Sequence, residues 1–223
     1  MNTILQTALD LTELSRAMQI AREAVLGGTD WIEAGTPLIK SEGMNAVREL
    51  AKEFPNHKII ADLKTSDTGG LEVEMAAKAG ADVVCILASA DDAVILDALR
   101  GAALYGVELM ADMMNVADVA GRAKQLADMG VHIINAHVGI DQQMEGKNPL
   151  DILSEISGLG VKVAAAGGLN AQTAAAAAAA GADIVIVGAG IVKAADVEAA
   201  ARAVREAIDS PATAKPKTKT MDD

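Results

Sequence analysis

The sequence predicts a single parallel (β/α)₈ barrel, in which eight strands alternate with helices around a closed sheet. A chain of 223 residues is long enough for one large core, and barrels of this size commonly form one domain. A glycine followed by a short β-branched run recurs along the chain, as is typical where a helix ends and a buried strand begins. Amphipathic segments of roughly a dozen residues separate these junctions. We therefore expect a barrel domain over residues 1–209.

The helix-to-strand junctions identify seven of the strands. The gap between Gly28 and Gly80 is about twice the later spacings, so one junction without a glycine is expected between them. Phe54-Pro55-Asn56-His57, followed by the apolar run from Lys58, supplies it. An opening strand over 4–9 brings the total to eight. The six glycine junctions begin at Gly28, Gly80, Gly106, Gly130, Gly160 and Gly181.

The segments between the strands are predicted to be helices. An open, doubly wound sheet is the alternative, but its dinucleotide fingerprint Gly-x-Gly-x-x-Gly is absent after the first strand. Residues 210–223 show no apolar period, which predicts a disordered tail or a linker remnant. The predicted helices cover approximately 12–26, 41–53, 68–79, 91–104, 116–129, 149–158, 171–180 and 194–208.

The composition excludes several classes of partner. The formal net charge of −12 repels nucleic acids and anionic membrane surfaces.

Cys85 is the only cysteine, so no internal disulfide can form, and its apolar neighbours predict a buried thiol. The apolar stretch 173–192 is mostly alanine and glycine and contains Asp183, which argues against a membrane span. The amino terminus lacks the pattern of a secretory signal, so we expect a cytoplasmic protein.

Polar residues occur where the predicted strands end. In this fold the chemistry lies at the carboxyl ends of the strands. Each acid taken alone could be a helix cap or part of a solvated loop; Asp10, for example, could cap a helix starting near Thr12. Together they favour a site, because charges crowded into one mouth lose hydration unless they serve a task. The residues concerned are Asp10, Glu33, Asp62, Lys64, Asp112 and His137.

The stretch from Asp62 to Asp67 contains the densest group of charges. Side chains on a strand alternate between faces, so Asp62 and Lys64 are predicted to point into the same space. Asp67 follows three residues later. It is either part of the same site or the N-cap of the next helix.

The chemical types of these residues suggest roles. His137 is the one histidine predicted to reach the carboxyl end of the barrel, where it could carry a proton. Glu33 and Asp62 offer the oxygen ligands that Mg²⁺ accepts.

Glycines end the last two strands. Gly167 and Gly168, with Gly188 and Gly190, would let backbone N–H groups approach a phosphate. The alternative is that these glycines only punctuate loops.

These residues resemble the orotidine 5′-monophosphate decarboxylase suprafamily, and within it the 3-hexulose-6-phosphate synthases, over nearly the whole chain up to about residue 208. The sister 3-keto-L-gulonate-6-phosphate decarboxylases typically carry an arginine where this chain has Gly139. Relatives often carry another arginine at the position of Ala189, so phosphate binding is where this chain departs from the pattern. The matching segments are 8–10, 32–43, the Asp62-x-Lys64-x-x-Asp67 motif, 112–114 and 137–143.

The resemblance implies a reversible aldol condensation of formaldehyde with D-ribulose 5-phosphate, giving D-arabino-hex-3-ulose 6-phosphate through an enediolate. It implies Mg²⁺, with Mn²⁺ as a substitute, held by Glu33 and Asp62. His137 would remove the C1 proton, and Lys64 would stabilise oxyanion charge.

The resemblance also implies roles for the remaining acids. Asp10 and Asp112 would position substrate hydroxyls, and Asp112 could be a second proton carrier. Asp67 would reach the site of a partner subunit, which implies a homodimer with active sites at the interface. The alternatives are a 3-keto-L-gulonate-6-phosphate decarboxylase and a barrel that binds sugar phosphates without catalysis.

Overall fold

The computed structural model describes residues 3–156 and 158–210 and confirms the predicted (β/α)₈ barrel. Eight parallel strands pair in chain order, and β1 pairs with β8 to close the sheet. The predicted tail lies almost wholly outside the described residues. The strands are β1 Ile4–Leu9, β2 Trp31–Ala34, β3 Lys58–Thr65, β4 Val83–Leu87, β5 Glu108–Asp112, β6 Ile133–His137, β7 Lys162–Ala166 and β8 Ile184–Val187.

Helices link successive strands and form the outer layer. Several begin later than predicted, because the residues before them are loops or caps; α11, for example, begins after Asp196, whose side chain accepts a hydrogen bond from Ala199 N. The helices are α1 Leu14–Leu26, α2 Thr36–Glu42, α3 Asn45–Glu53, α4 Gly69–Ala79, α5 Asp92–Tyr105, α6 Val119–Met129, α7 Ile140–Gln143, α8 Pro149–Ile156, α9 Ala171–Ala179, α10 Ala189–Val192 and α11 Val197–Asp209.

Three short helices, α2, α7 and α10, were not predicted as separate elements. They follow β2, β6 and β8 directly, so all three lie at the carboxyl end of the barrel. The predicted helix over 41–53 is divided by Gly43, whose φ of 64° is left-handed and ends α2. These helices are too short to show an amphipathic period, which is why the pattern missed them.

The structure excludes the two helix-cap alternatives. α1 begins at Leu14 with Glu13 at the N-cap, so Asp10 does not cap it. α4 begins at Gly69 with Thr68 at the N-cap position, so Asp67 does not cap that helix.

Alternation along the strands divides the core into two apolar layers. One side of each strand packs against the helices, and the other faces the barrel axis. The inner layer includes Ile60, Cys85, Met110, Ile133 and Ala164. It fills the barrel below the carboxyl end and would form the floor of a binding site at that end.

The amino-terminal end of the barrel is closed by charges. Glu108 at the start of β5 accepts hydrogen bonds from Lys58 Nζ at 2.5 Å and from Lys162 Nζ at 2.7 Å. Lys58 Nζ also lies 5.1 Å from the centre of the Trp31 ring. Although partial burial opposes it, the two lysines lower the pKa of Glu108 below its ordinary value. This network is at the opposite end from the predicted site.

No helix within 3–156 or 158–210 is long and apolar enough to cross a bilayer.

Candidate active site

A cavity of about 820 Å³ opens at the carboxyl ends of the strands. Ten of the eleven predicted site residues line it, and Asp67 is the exception. The barrel therefore brings together residues that are far apart in the chain. The ten are Asp10, Glu33, Asp62, Lys64, Asp112, His137, Gly167, Gly168, Gly188 and Gly190.

Asp67 is exposed and lies outside this cavity. Its Oδ1 accepts a hydrogen bond from the backbone N–H of Thr68 at 2.8 Å. Thr68 itself is left-handed, with φ of 50°. Asp67 therefore lies at the surface and does not contribute to the cavity of its own barrel.

The backbone at Lys64 departs from a regular strand, so alternation of side chains does not explain how Lys64 enters the cavity. Its φ is 49°, and the pairing of β3 with β4 jumps from Asp62 opposite Cys85 to Thr65 opposite Ile86. The predicted regular strand is therefore wrong between Asp62 and Thr65: a bulge intervenes. Left-handed backbone at a residue other than glycine is strained, and such strain is often found at functional sites.

The ammonium group of Lys64 joins two carboxylates. Its Nζ lies 3.1 Å from Asp62 Oδ2 and 2.9 Å from Asp112 Oδ2. Burial by itself lowers the pKa of Lys64, but the charges of Asp62 and Asp112 outweigh burial and raise that pKa above its ordinary value. Lys64 is therefore a fixed positive charge in this site.

Asp112 is the centre of the polar network. The same Oδ2 that accepts from Lys64 lies 2.7 Å from His137 Nδ1, and Oδ1 accepts from the backbone N–H of Met114 at 2.9 Å. Burial alone would raise the pKa of Asp112, but the hydrogen bond and charge of His137, with the charge of Lys64, lower it to about 2. Asp112 is consequently an ionised anchor that holds both basic groups.

Glu33 and Asp62 are buried acids on neighbouring strands. Thr36 Oγ1 donates to Asp62 Oδ2 at 2.8 Å, and Gln6 Nε2 donates to Glu33 Oε2 at 2.6 Å. Burial first, and then the charges of Asp62 and Asp10, raise the pKa of Glu33 well above its ordinary value. The two carboxylates are held in place, but their negative charges are only partly compensated.

Asp10 lies at the rim of the same group. The residue is exposed at the mouth, but neighbouring protein atoms shield its carboxylate from part of the surrounding water. This desolvation, followed by the charge of Asp62, raises the pKa of Asp10. A Cβ at position 35 would lie 2.3 Å from Asp10 Oδ1, so only glycine lets Asp10 take this position.

Glu33 and Asp62 are the residues that could hold a metal ion. No group of three or more His, Cys, Asp or Glu side chains in the described residues is arranged to do so. Two carboxylates suit a cation that takes most of its ligands from water and substrate. The raised pKa of Glu33 is the kind of electrostatic strain that such a cation would relieve.

The glycines after β7 and β8 bring backbone segments into close contact. A Cβ at Gly167 would lie 2.3 Å from Val138 O, and one at Gly190 would lie 2.7 Å from Leu169 O. Among the described residues, Lys64 and His137 are the basic side chains that line the cavity. An anion bound beside these glycines would therefore rely on backbone N–H groups.

Some residues of the site were not predicted from the sequence. Gln6 and Asn135 are polar residues within apolar strand runs, and that interruption is the signal that could have identified them. Thr36 opens α2, a helix that the pattern missed. Cys85 is buried as predicted, and it also lines the cavity floor, where burial, followed by the charges of Asp62 and Glu33, raises the pKa of its thiol.

Comparisons with known proteins agree with this geometry. The model of the orotidine 5′-phosphate decarboxylase / HUMPS family matches residues 3–204, which is most of the chain. The chain belongs to this family. Its members share the barrel described above, and the resemblance inferred from the sequence is confirmed.

Within the orotidine 5′-phosphate decarboxylase / HUMPS family, the chain is similar to 3-hexulose-6-phosphate synthases in both sequence and structure. The chain is 39% identical to the 3-hexulose-6-phosphate synthase of Bacillus subtilis over 206 residues, which cover 92% of this chain and 98% of the relative. A 3-hexulose-6-phosphate synthase structure from Salmonella typhimurium superposes with a TM-score of 0.88 at 34% identity, covering 93% and 98% of the two chains.

A solved structure of a 3-keto-L-gulonate-6-phosphate decarboxylase is also similar to this chain. The 3-keto-L-gulonate-6-phosphate decarboxylase of Vibrio cholerae superposes with a TM-score of 0.83 at 30% identity, covering 94% of this chain and 98% of that one. This family member is therefore an enzyme of the lyase type.

Proposed function

We propose that this enzyme catalyses the reversible aldol condensation of formaldehyde with D-ribulose 5-phosphate to D-arabino-hex-3-ulose 6-phosphate. The observation that carries the proposal is the linked chain His137–Asp112–Lys64–Asp62 at the mouth of the barrel. It offers a base, a fixed positive charge and a buried carboxylate within one cavity. These are the groups that forming an enediolate requires.

The hydrogen bond to Asp112 sets the role of His137. The carboxylate accepts from Nδ1–H, so Nε2 is left as the basic nitrogen. Nε2 takes the proton from C1 of the pentulose phosphate, and the electron pair left behind forms the enediolate. Lys64, the fixed positive charge between Asp62 and Asp112, would stabilise the negative charge that develops on the substrate oxygens.

The same residues complete the condensation. C1 of the enediolate forms a carbon–carbon bond with the aldehyde carbon, and the C=O electrons move onto the aldehyde oxygen. His137 returns its proton to that oxygen, and the new hydroxymethyl group is complete. Asp10, at the rim of the cavity, would bind a hydroxyl of the sugar.

The carboxylate pair would hold the cofactor. Glu33 and Asp62 would bind Mg²⁺, or Mn²⁺ in its place, and the chemistry it supplies when bound is Lewis-acid polarisation of the ketone. The donor set supports this assignment because both side chains are oriented by hydrogen bonds from Gln6 and Thr36.

The phosphate is proposed to bind at the glycines after β7 and β8. Gly167, Gly168, Gly188 and Gly190 line the cavity, and backbone N–H groups in these loops would face the anion. Because Ala189 supplies no charge, we expect a weaker phosphate contact than an arginine would give.

The pair of Gly139 and Met114 favours the synthase over the sister decarboxylase. A Cβ at position 139 would lie 2.8 Å from Met114 Sδ, so the methionine occupies the space that a side chain there would need. An arginine at this position, typical of the decarboxylases, is absent. The site therefore has no charged group at position 139 to hold a sugar acid's carboxylate.

We further propose a homodimer in which Asp67 completes the partner's site. Asp67 is exposed and unused in its own cavity. The helices beside it carry exposed apolar side chains, including Leu71 and Met75 one turn apart on α4 and Leu96 on α5. A second copy would cover this apolar surface.

One assay tests the function against its rivals. We expect consumption of D-ribulose 5-phosphate that depends on formaldehyde, is lost in EDTA and returns with excess Mg²⁺. Release of CO₂ from 3-keto-L-gulonate 6-phosphate, without the aldol reaction, would instead identify the decarboxylase. Thermal stabilisation by D-ribulose 5-phosphate with no turnover of either substrate would identify a binding protein.

A further inference from the structure

Gln143 is the last residue of α7, and its side chain lies beside the glycines of the proposed phosphate site. The residue is half-buried and lines the cavity. Its Nε2 donates to the backbone oxygen of Val138 at 2.8 Å. Val138 is buried, and its own backbone N–H donates to Ala166 O at the end of β7. The amide of Gln143 therefore fastens α7 to the point where β6 and β7 end.

The turn formed by Gly167 and Gly168 packs against both partners of this hydrogen bond. A Cβ at Gly167 would lie 2.3 Å from Val138 O, and one at Gly168 would lie 2.9 Å from Gln143 Oε1. The φ angles of the two glycines are 112° and 66°, which are left-handed. The hydrogen bond from Gln143 to Val138 thus forms a surface on which the turn rests.

Two consecutive glycines have little tendency to hold one shape by themselves. Glycine loses more conformational freedom on ordering than other residues, so fixing this turn has an entropic cost. Neither glycine has a side chain that could anchor it. The close contacts with Val138 and Gln143 restrict the turn from the side of β6.

The charges of the cavity make the shape of this turn important for binding an anion. Lys64 and His137 are the basic side chains that line the cavity among the described residues. Lys64 is already paired with Asp62 and Asp112, and Ala189 supplies no charge. Backbone N–H groups would then provide much of the phosphate binding. Such donors bind best when they are already held in the bound arrangement.

We propose that Gln143 is a positioning residue for the substrate phosphate. Its amide, bonded to Val138 O, holds the turn of Gly167 and Gly168 in the conformation that binds the anion. This inference rests on the proposed function, which takes D-ribulose 5-phosphate as the substrate. Gln143 exchanges no proton and forms no covalent bond, so its loss weakens binding and leaves the chemical step unchanged.

The neighbouring Gln142 provides a matched control. It lies on the same short helix and also lines the cavity. Its Nε2 donates instead to Asn115 Oδ1 at 3.1 Å, in the loop after β5. Replacing Gln142 removes a hydrogen bond from α7 to a different loop. The two variants therefore separate a loosened helix from a loosened turn.

Gln143→Met keeps the approximate length of the side chain and removes the amide. We expect KM for D-ribulose 5-phosphate to rise roughly tenfold, the effect of one hydrogen bond, while kcat stays within about twofold of wild type. The dissociation constant of inorganic phosphate should rise by the same factor when measured by titration calorimetry in EDTA, without sugar or formaldehyde. Gln142→Met should leave both constants within about twofold.

A second variant covers the case in which methionine does not fit. Gln143→Asn keeps an amide but is one methylene shorter, so it should lose the bond to Val138 O and show the same changes as Gln143→Met.

The outcomes distinguish the possible failures. A fall in kcat with unchanged KM, an unchanged dissociation constant for phosphate, or a wild-type protein that binds no phosphate would overturn the assignment of Gln143. Equal weakening in Gln142→Met would also overturn it, because the effect would then belong to α7 as a whole. Suppose instead that wild type binds phosphate more tightly than Gln143→Met but consumes no D-ribulose 5-phosphate with formaldehyde. The proposed function would then be overturned, and the role of Gln143 at the turn would stand.

Discussion

His137 Nδ1 lies 2.7 Å from Asp112 Oδ2, and this contact decides which imidazole nitrogen is available to a substrate. Asp112 Oδ2 also accepts from Lys64 at 2.9 Å, so one carboxylate oxygen orients both basic groups of the cavity. Because the pKa of Asp112 is about 2, the carboxylate is ionised throughout the range in which the enzyme would work.

Replacing Asp112 by asparagine should lower kcat roughly 10³-fold or more, because an amide can donate to Nδ1 and favour the unproductive tautomer. The C1 exchange rate should fall with kcat, since both need the same base. Asp128→Asn changes an exposed partner of Lys124 and should leave both rates unchanged. A variant at Asp112 with wild-type exchange would contradict this role.

The pKa of Asp112 also predicts an effect on stability. Because its folded-state pKa is lowered, its stabilising contribution is present above the ordinary aspartate pKa and is lost as pH falls from about 4 towards 2. The shift corresponds to about 2 kcal/mol. Acid unfolding followed by circular dichroism should show a steeper loss over this range in wild type than in Asp112→Asn.

Removing Asp62 should abolish metal-dependent turnover while the barrel still folds. Mn²⁺ at about 100 times its Kd should stabilise wild type by about 2.7 kcal/mol. We expect this thermal shift to be absent in Asp62→Ala and strongly reduced in Glu33→Gln, because each loses one of the two proposed ligands. Unchanged activity and an unchanged Mn²⁺ shift in Asp62→Ala would refute the metal assignment.

Asp67 offers a test of sharing between subunits. Asp67→Ala and His137→Ala should each be inactive as homodimers. When the two are unfolded together, mixed and refolded, heterodimers carrying one intact site should restore about a quarter of wild-type activity. If Asp67 acts only within its own subunit, each site of such a heterodimer keeps one defect and no activity returns. Sedimentation should verify that each preparation is dimeric.

The amino-terminal charge network predicts a stability effect without a catalytic one. Glu108→Gln leaves Lys58 and Lys162 near each other without their carboxylate, and because these ion pairs are partly exposed the free energy of unfolding should fall by about 1 kcal/mol. The pKa of Glu108 is lowered, so the difference from wild type should be largest above the ordinary glutamate pKa and vanish as pH falls through the lowered value. Urea unfolding at pH 7 and pH 3 measures this. An equal difference at both pH values would refute it.

Much of the site could be predicted because all strands of a parallel barrel end at the same face. Asp10, Glu33 and His137 each come at or near a strand end, and barrel closure places strand ends at one mouth whatever their separation in the chain. The local sequence pattern could not predict the backbone conformation of Lys64. Its left-handed backbone depends on how β3 meets β4, which is a long-range pairing.

The sequence by itself determined the alternation of eight strands with helices and the types of polar residue at the strand ends. Both follow from local periodicity and residue type. Only the tertiary structure decided that Asp112 joins His137 to Lys64 and that Asp67 lies outside the cavity of its own barrel. It also decided that Asn135 Oδ1 is buried with no hydrogen-bond partner among the described residues. Those relationships depend on inter-strand register and on closure of the sheet. No short segment of the chain contains that information.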